Sequence, residues 1–518
     1  MSDQYFLCLD LGTTSVKTGL FNEQGTLKDY TERTIRTYYP RIGLAEQAPE
    51  ELCHIVLANI RHIITMAHIN PQNIAAVCIV GQMGAILGID KNWKDITCIA
   101  TPLDTSAVPY LNLIMKNGNR VIELTGAVPT HSPKILQWKQ EHPDVFKRIE
   151  KFVVPSTYVV GMLADLRCQD AFIDRTYLYL SGLSDSERGV WSDELCSAFG
   201  IPNCKLPQIV EPWAKVGYLS KNLALDSGLV AGTPIIAGAG DASATCLGAG
   251  IIKPGQMFDI SGTACILGTC IDRFLPDKDN KNLWMLGSVI PNYWYPIAVT
   301  FGGRSHRWFI DTFCKEEIRE AEIQQCTVYS ILDQQAKGTP PGSHSLIFLP
   351  HLGGKLCPPS PNARGSWIGF NWAHKKSDFY RSILESIAYE FNIYLEIIKK
   401  HCSIKIPKDI TIVGGGANSK LWNQIKADVL GIPYLTINRH PASLFGAFII
   451  AGYAVGLFDD ILKAGLEPIE IKDRILPLDS NHRLYKKYTE PYATLIPMTN
   501  MIFDNMDKVD IGELSNDL

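Results

Sequence analysis

Residues 6–22 read FLCLDLGTTSVKTGLFN. An apolar run ends in Asp10 and passes through the small polar turn Gly12-Thr13-Thr14-Ser15 before apolar residues resume, which predicts a strand, a tight turn and a second strand. The turn offers backbone N–H groups and hydroxyls at one edge while Asp10 closes the first strand. That combination suits a phosphoryl group accompanied by a divalent cation, and an ordinary hairpin turn is the competing reading.

A second stretch repeats the pattern. Residues 257–267, MFDISGTACIL, again run apolar, acid, Ser-Gly-Thr, apolar, and Asp259 follows Asp10 by 259 − 10 = 249 positions. Two such hairpins at the start of successive halves predict a duplicated pair of domains holding phosphates from both sides, since this spacing far exceeds a solenoid repeat. The chain of 518 residues is long enough for two or more domains. Its net charge of −4, with 49 Lys+Arg against 53 Asp+Glu, offers no basic surface for nucleic acid or an anionic membrane. The 14 cysteines are scattered without zinc-ligand spacing and read as reduced thiols, and no apolar run is long enough to span a bilayer. The expectation is a cytoplasmic protein acting on a small molecule.

Further along, residues 49–67 carry apolar positions at helical spacing, and Ile74–Val80 reads as a buried strand followed by Gly81-Gln82-Met83-Gly84. In open α/β sheets ligands bind at such strand ends, and Gln82 can donate to and accept from a polyol; a polar turn is the alternative. Ile96–Ala100 reads as a strand leading to Asp104, and helices are expected over 107–122 and 133–150. The segment 233–250 feeds an apolar strand through Gly238 and Gly240 into Asp241 at the start of a small-residue helix. A helix cap would account for Asp241, but glycines that admit a ligand stand beside it, and a carboxylate there can take a proton from a hydroxyl attacking phosphorus. Residues 351–366 read as a Gly/Pro loop whose Lys355 and Arg364 face phosphate or solvent. The run 410–413 enters Gly414-Gly415-Gly416-Ala417-Asn418-Ser419, leaving room for a flat ring above a helix N-terminus. Residues 504–518 read as a frayed tail.

Taken together, these segments resemble the FGGY family of carbohydrate kinases over about residues 5–460, nearest its xylulokinase-like branch. The resemblance rests on LDLGTTSVK, GQM at 81–83, GAGDASATCLGAG around Asp241, SGT at 261–263, FLPHLGG and NARG at 348–354 and 362–365, and GGGANSKLWNQIKADVLGIP at 414–433. It implies an α/β fold of two actin-like, ribonuclease H-like domains with the active-site cleft between them: 1–248, carrying the sugar side and first phosphate loop; 249–460, carrying the nucleotide; and a C-terminal extension, 461–518.

The same resemblance implies that Asp241 is the catalytic base, that Asp10 lies by Mg²⁺, and that Gly12, Thr13 and Thr14 surround the transferred phosphoryl group of ATP. Gly262 and Thr263 would form the second phosphate loop, with Gly303, Gly415, Gly416 and Ser419 bordering the nucleotide. Gln82, Met83 and Asp104 fall on the sugar side. Two departures also lie there: xylulokinases usually carry His where this chain has Gly84, and their W-x-D-x-R is here Pro102-Leu103-Asp104-Thr105-Ser106. The expected activity is phosphorylation of a small sugar, a pentulose first, with D-ribulose, sedoheptulose, gluconate and glycerol as alternatives. A non-catalytic ATP-binding regulator is the rival of another class, and a homodimer is a family-level expectation.

Overall fold

Both acid-glycine-threonine stretches fold as the hairpins their patterning predicts. The computed structural model describes residues 4–41, 43–439, 441–466 and 469–506. Strands β1 (Tyr5–Leu11) and β2 (Ser15–Asn22) pair antiparallel with Asp10 opposite Lys17, and β3 (Leu27–Thr34) pairs with β2. The first half adds β4 (Ile74–Gly81), β5 (Lys215–Tyr218) and β6 (Pro234–Ile236). The second hairpin is β7 (Met257–Ser261) with β8 (Cys265–Thr269), joined by β9 (Trp284–Gly287), β10 (Trp294–Thr300), β11 (Ile410–Val413), β12 (Tyr434–Ile437) and β13 (Ile471–Ile475).

Two sheets result, in the spatial orders β5-β6-β4-β1-β2-β3 and β9-β10-β8-β7-β11-β12-β13. Each contains the same five-strand unit, β3-β2-β1-β4-β6 in one and β10-β8-β7-β11-β12 in the other. In both, three strands pair antiparallel and the last two run parallel to the first. The duplication inferred from two short stretches therefore extends through whole sheets.

Parallel central strands are covered on both faces, so their sequences are apolar on both. Leu7, Leu9 and Leu11 of β1 pack with Leu52, Val56, Ile60 and Ile63 of helix α1 (Pro49–Met66). The alternate residues Phe6 and Cys8 pack with Ala244 and Leu247 of α2 (Asp241–Gly248) and with Leu444 and Phe448 of α6 (Ala442–Val455). Between α2 and α6 in sequence lie α3 (Gly302–Phe313), α4 (Lys376–Cys402) and α5 (Lys420–Leu430). Thus a helix encoded near the end of the second half seals the sheet of the first.

Helices α2 and α6 touch backbone to backbone. A Cβ at Gly446 would lie 2.0 Å from the Ala244 carbonyl oxygen, and one at Gly248 would lie 2.0 Å from that of Ala442. No side chain fits at either contact.

Several elements differ from expectation. The strand expected over 96–100 shrinks to Ile99–Ala100, because the Ile96 N–H bonds back to Gly88. The helix over 107–122 divides at a tight turn over Met115–Asn117, and that over 133–150 divides at Pro143, which lacks the donor to continue a helix. Lys355 faces neither phosphate nor solvent: it is buried, 2.6 Å from Glu390, while Arg364 stacks over Phe503. The segment read as an extension supplies β13 to the second sheet. It also forms α7 (Asp479–Met506), whose Tyr485 and Tyr492 hydroxyls donate to Glu385 and Glu390 of α4. Pro491 and Pro497 within α7 hid that helix from sequence reading. Of the tail, residues 507–518 lie outside the described residues.

Substituting Gly446→Ala forces α2 and α6 apart. The expected cost is about 1–3 kcal/mol of unfolding free energy with a loss of turnover, read by urea denaturation and steady-state kinetics; unchanged values in both would show that the contact yields.

Candidate active site

Strands β1, β4 and β6 run parallel side by side, so their carboxyl ends share one edge, where ligands bind in such sheets. That edge gathers the turn Gly12–Thr14, the segment Gly81–Gly84 and the approach to Asp241. The Gly81 N–H donates to Ala239 O at 3.2 Å, and Gly240 N–H to Thr176 Oγ1 at 2.9 Å. Gly238 has φ +75° and a Cβ there would sit 1.8 Å from Ile79 O, so this close approach requires glycine. Gly240 occupies the cap position of α2 and Asp241 is its first residue, so the competing reading of Asp241 as the helix cap fails by one position.

Asp241 is half-buried and its Oδ1 accepts the Ala242 N–H at 2.7 Å. Burial, and after it the charge of Asp10, push its carboxyl up to about 7, against the opposing pull of the Ala242 N–H and Lys17. Asp10 is 5% exposed. Its Oδ2 accepts from Ser443 Oγ at 2.7 Å and lies 3.7 Å from Lys17 Nζ, while its buried Oδ1 has no partner. Two neighbouring carboxylates thus share an edge, one poised near neutrality and the other with a lone pair unmatched.

On the sugar side, Met83 packs against Gly240, where a Cβ would meet its Cε at 2.4 Å, and the Tyr179 hydroxyl lies 3.7 Å from its sulfur. Gln82 is not open to a ligand in the way its sequence position suggests: it is 1% exposed, and its Nε2 donates to Gln47 Oε1 at 2.9 Å. Gly84 has φ +77°, and Thr130, Pro102 and Leu180 close in around it, which accounts for glycine here. Asp104 Oδ1 accepts the Ser106 N–H at 2.8 Å, and burial together with the charge of Asp104 raises the carboxyl of Glu46. Below them Lys134 is buried and donates to the carbonyls of Gly84, Ala100 and Thr101 at 2.9, 3.2 and 2.6 Å. Burial pulls its ammonium down to about 8 against the attraction of Asp104.

The second sheet builds a comparable edge. Gly303 stands on Gly262, where a Cβ would lie 1.9 Å from the Gly262 oxygen, and the Arg304 N–H donates to Thr263 O at 3.0 Å. Gly414, at φ +88°, passes over Ser261, and Gly415 has nothing within 4 Å of where its Cβ would be, leaving space above the turn. The Ser419 hydroxyl is engaged: it caps α5 through the Trp422 N–H and donates to Asp333 at 2.6 Å. Asp259, the acid of the second hairpin, stands two residues before the end of its strand where Asp10 stands one before, and is fully buried and bonded to Lys426 Nζ at 2.6 Å and to Ser261 Oγ at 2.7 Å.

Residues 5–248 match the N-terminal domain of the FGGY family of carbohydrate kinases and residues 260–455 match its C-terminal domain. The chain belongs to the FGGY family of carbohydrate kinases. It is 28% identical to a gluconokinase of Bacillus subtilis over 98% of this chain and 96% of that protein. It is 24% identical to a xylulose kinase of Staphylococcus epidermidis over 97% and 98%. In fold it resembles the gluconate kinase of Lactobacillus acidophilus, with TM-score 0.85 at 22% identity over 98% of this chain and all (100%) of that one. As an FGGY kinase it is a phosphotransferase acting on an alcohol group of a small sugar. Among the described residues no helix is long and apolar enough to cross a membrane.

Sequence reading of this FGGY kinase missed Ser443, Gln47, Lys134, Lys17 and Lys426. Ser443 reaches Asp10 across 433 positions, a pairing that no local pattern announces. Lys134 and Lys426 sit among helical residues where a lysine ordinarily reads as a solvated face.

Substituting Lys426→Met strands the buried Asp259 carboxylate. The expected loss is about 3–5 kcal/mol at neutral pH. Asp259 already has a raised pKa through burial, so its ionised form opposes folding above its unfolded value. The deficit in urea melts therefore narrows as pH falls and closes below about 4, where the group is protonated in both states. A deficit independent of pH would refute this account.

Proposed function

We propose that this FGGY kinase transfers the γ-phosphoryl group of ATP, taken with Mg²⁺, to a primary hydroxyl of a neutral pentulose such as D-xylulose. The observation that carries the reading is Asp241, a carboxyl raised to about 7 and set beside Asp10 at the edge where the first phosphate turn and the Gln82-Met83 segment meet. A base with a pKa near the working pH combines availability with driving force.

In this reading Asp241 orients the acceptor hydroxyl and takes its proton as the oxygen–phosphorus bond forms and the bond to the β-phosphate oxygen breaks, releasing ADP. N–H groups of Thr13 and Thr14 face the transferred group and that of Thr263 faces the remaining phosphates, while the Gly12 and Gly262 N–H groups close the two turns on Ser15 O and Ala264 O. Gly415 leaves room for the nucleotide, Gly303 and Gly416 let the bordering turns close on Gly262 and Ser261, and Ser419 holds the adjoining turn through Asp333 rather than by direct contact. The unpartnered Asp10 Oδ1 suits a hard cation, which takes one or two carboxylates along with phosphate oxygens. Bound there, Mg²⁺ would neutralise charge on the phosphates.

The gluconokinase relative raises an aldonate as the second acceptor. Against it stand Asp104 and Glu46, carboxyls close enough that one raises the pKa of the other, while the nearby Lys134 ammonium is committed to three carbonyls. An anionic acceptor meets like charge there, and a neutral ketose does not. Met83 and Asp104 are its proposed neighbours, with Gln82 positioning them from behind.

Coupled-enzyme ADP release over D-xylulose, D-ribulose, sedoheptulose, glycerol and D-gluconate tests the acceptor. The neutral ketoses should lead, and preference for gluconate would overturn the charge argument. Asp241→Asn is expected to lower kcat about 10²–10⁴-fold while nucleotide binding persists. In the unsubstituted protein kcat/KM should follow the ionised fraction of Asp241, falling below about pH 7 and levelling above it. Near-parental turnover of Asp241→Asn would remove the base.

A further inference from the structure

Gln47 belongs to the two-residue strand Glu46–Gln47, is wholly buried, and contributes nothing to the apolar cores. A buried amide needs partners, and the partners of Gln47 have a definite polarity. Its Nε2 donates to the Thr13 carbonyl oxygen at 2.8 Å and to Thr37 Oγ1 at 3.3 Å. A carbonyl only accepts, so the amide is fixed with its nitrogen towards the turn and its oxygen away. That oxygen accepts from Gln82 Nε2 at 2.9 Å, and the backbone N–H of Gln82 donates to Leu11 O at 2.8 Å. Gln82 therefore holds the first phosphate turn twice, directly at Leu11 and through Gln47 at Thr13.

The consequence follows from peptide planarity. In a trans peptide the C=O and the following N–H point in opposite directions. With Thr13 C=O held inward by buried Gln47, the Thr14 N–H is directed outward, and among the described residues it has no acceptor. The Gly12 N–H, by contrast, closes the turn on Ser15 O at 3.0 Å.

We infer that Gln47 is a positioning residue that aims the Thr14 N–H at the phosphoryl group in transfer, and that Gln82 ties this aim to the acceptor-side segment Gly81–Gly84. The inference rests on the phosphoryl reading of the Gly12–Thr14 turn given above. Without the Gln47 donor the Thr13–Thr14 peptide is free to turn over, and the site loses a preorganised N–H.

The test uses the full chain with two substitutions. Gln47→Met keeps the volume and removes all three hydrogen bonds. Gln47→Glu keeps an acceptor for Gln82, but its carboxyl donates to Thr13 O only when protonated; Thr13, Thr37 and Gln82, the groups facing it in this network, are uncharged. Calorimetric titration with ADP and with the β,γ-imido analogue of ATP needs no acceptor. Gln47→Met should bind ADP as the parent does and the analogue about tenfold more weakly. With D-xylulose its kcat should fall about 10²-fold, the magnitude for losing one such donor, at little-changed KM. For Gln47→Glu the ratio of its kcat to that of the parent should rise as pH falls, a response that a packing role would not produce.

Equal weakening of ADP and analogue, an unchanged kcat, or a ratio flat with pH would each overturn the inference. Should Gln47→Met fail to fold, the Gln47→Glu ratio decides. If the parent phosphorylates no sugar, the function proposed above falls, while the ADP and analogue titrations still decide the role of Gln47.

Discussion

The near contact of α2 with α6 is the constraint on which the rest depends. Glycines at 248 and 446 let two helix backbones meet with no side chain between them, one beginning at Asp241 and the other carrying Ser443. Helix α6 lies on β1 at the same time, so Ser443 reaches Asp10 while α2 holds Asp241 beside it. A wider helix spacing would expose Asp241 and separate the two carboxylates, weakening both the burial that chiefly raises Asp241 and the charge of Asp10 that adds to it. The chemistry of the site thus rests on a steric fact about two glycines.

Duplication supplied the frame, and divergence supplied the function. The same five-strand unit occurs twice, each with an acid in the latter part of its first strand. In the first sheet that acid keeps an unmatched oxygen at the cleft edge; in the second it is paired with Lys426 and sealed from solvent. The first arrangement leaves a charge available to a cation or to a neighbouring carboxylate. The second neutralises a charge where neighbouring glycines need to hold their backbone shape. A one-residue offset in register puts the two acids on opposite faces of their strands, and one became a reactive group and the other a structural one.

Much of the positioning is done by buried polar groups acting on backbone carbonyls. Lys134 draws together three carbonyls from the segments around Gly84 and Thr101, and Gln47 holds that of Thr13. In the second half, Glu390 receives Lys355 and the Tyr492 hydroxyl, fastening the Gly/Pro loop and the last helix to α4. Such groups are costly to bury without partners, and when fully partnered they define one arrangement of loops that carry no regular structure.

The sequence by itself determined the two hairpins, the strands at 74–80 and 410–413 and the duplication, because apolar runs that stop at glycine-rich turns leave a local record. It also singled out Asp10, Asp241 and the glycine turns as candidates, since an acid late in an apolar strand followed by small residues is a short-range signal. It did not reveal that Gly240 rather than Asp241 takes the cap of α2, that Gln82 is turned inward to Gln47, or that the Ser419 hydroxyl is already engaged. Nor did it reveal Lys355 in an ion pair, or a helix behind Pro491 and Pro497. Those outcomes were decided by tertiary structure: whether a polar side chain meets ligand, solvent or another buried group depends on residues tens to hundreds of positions away, and only the packed fold sets those distances.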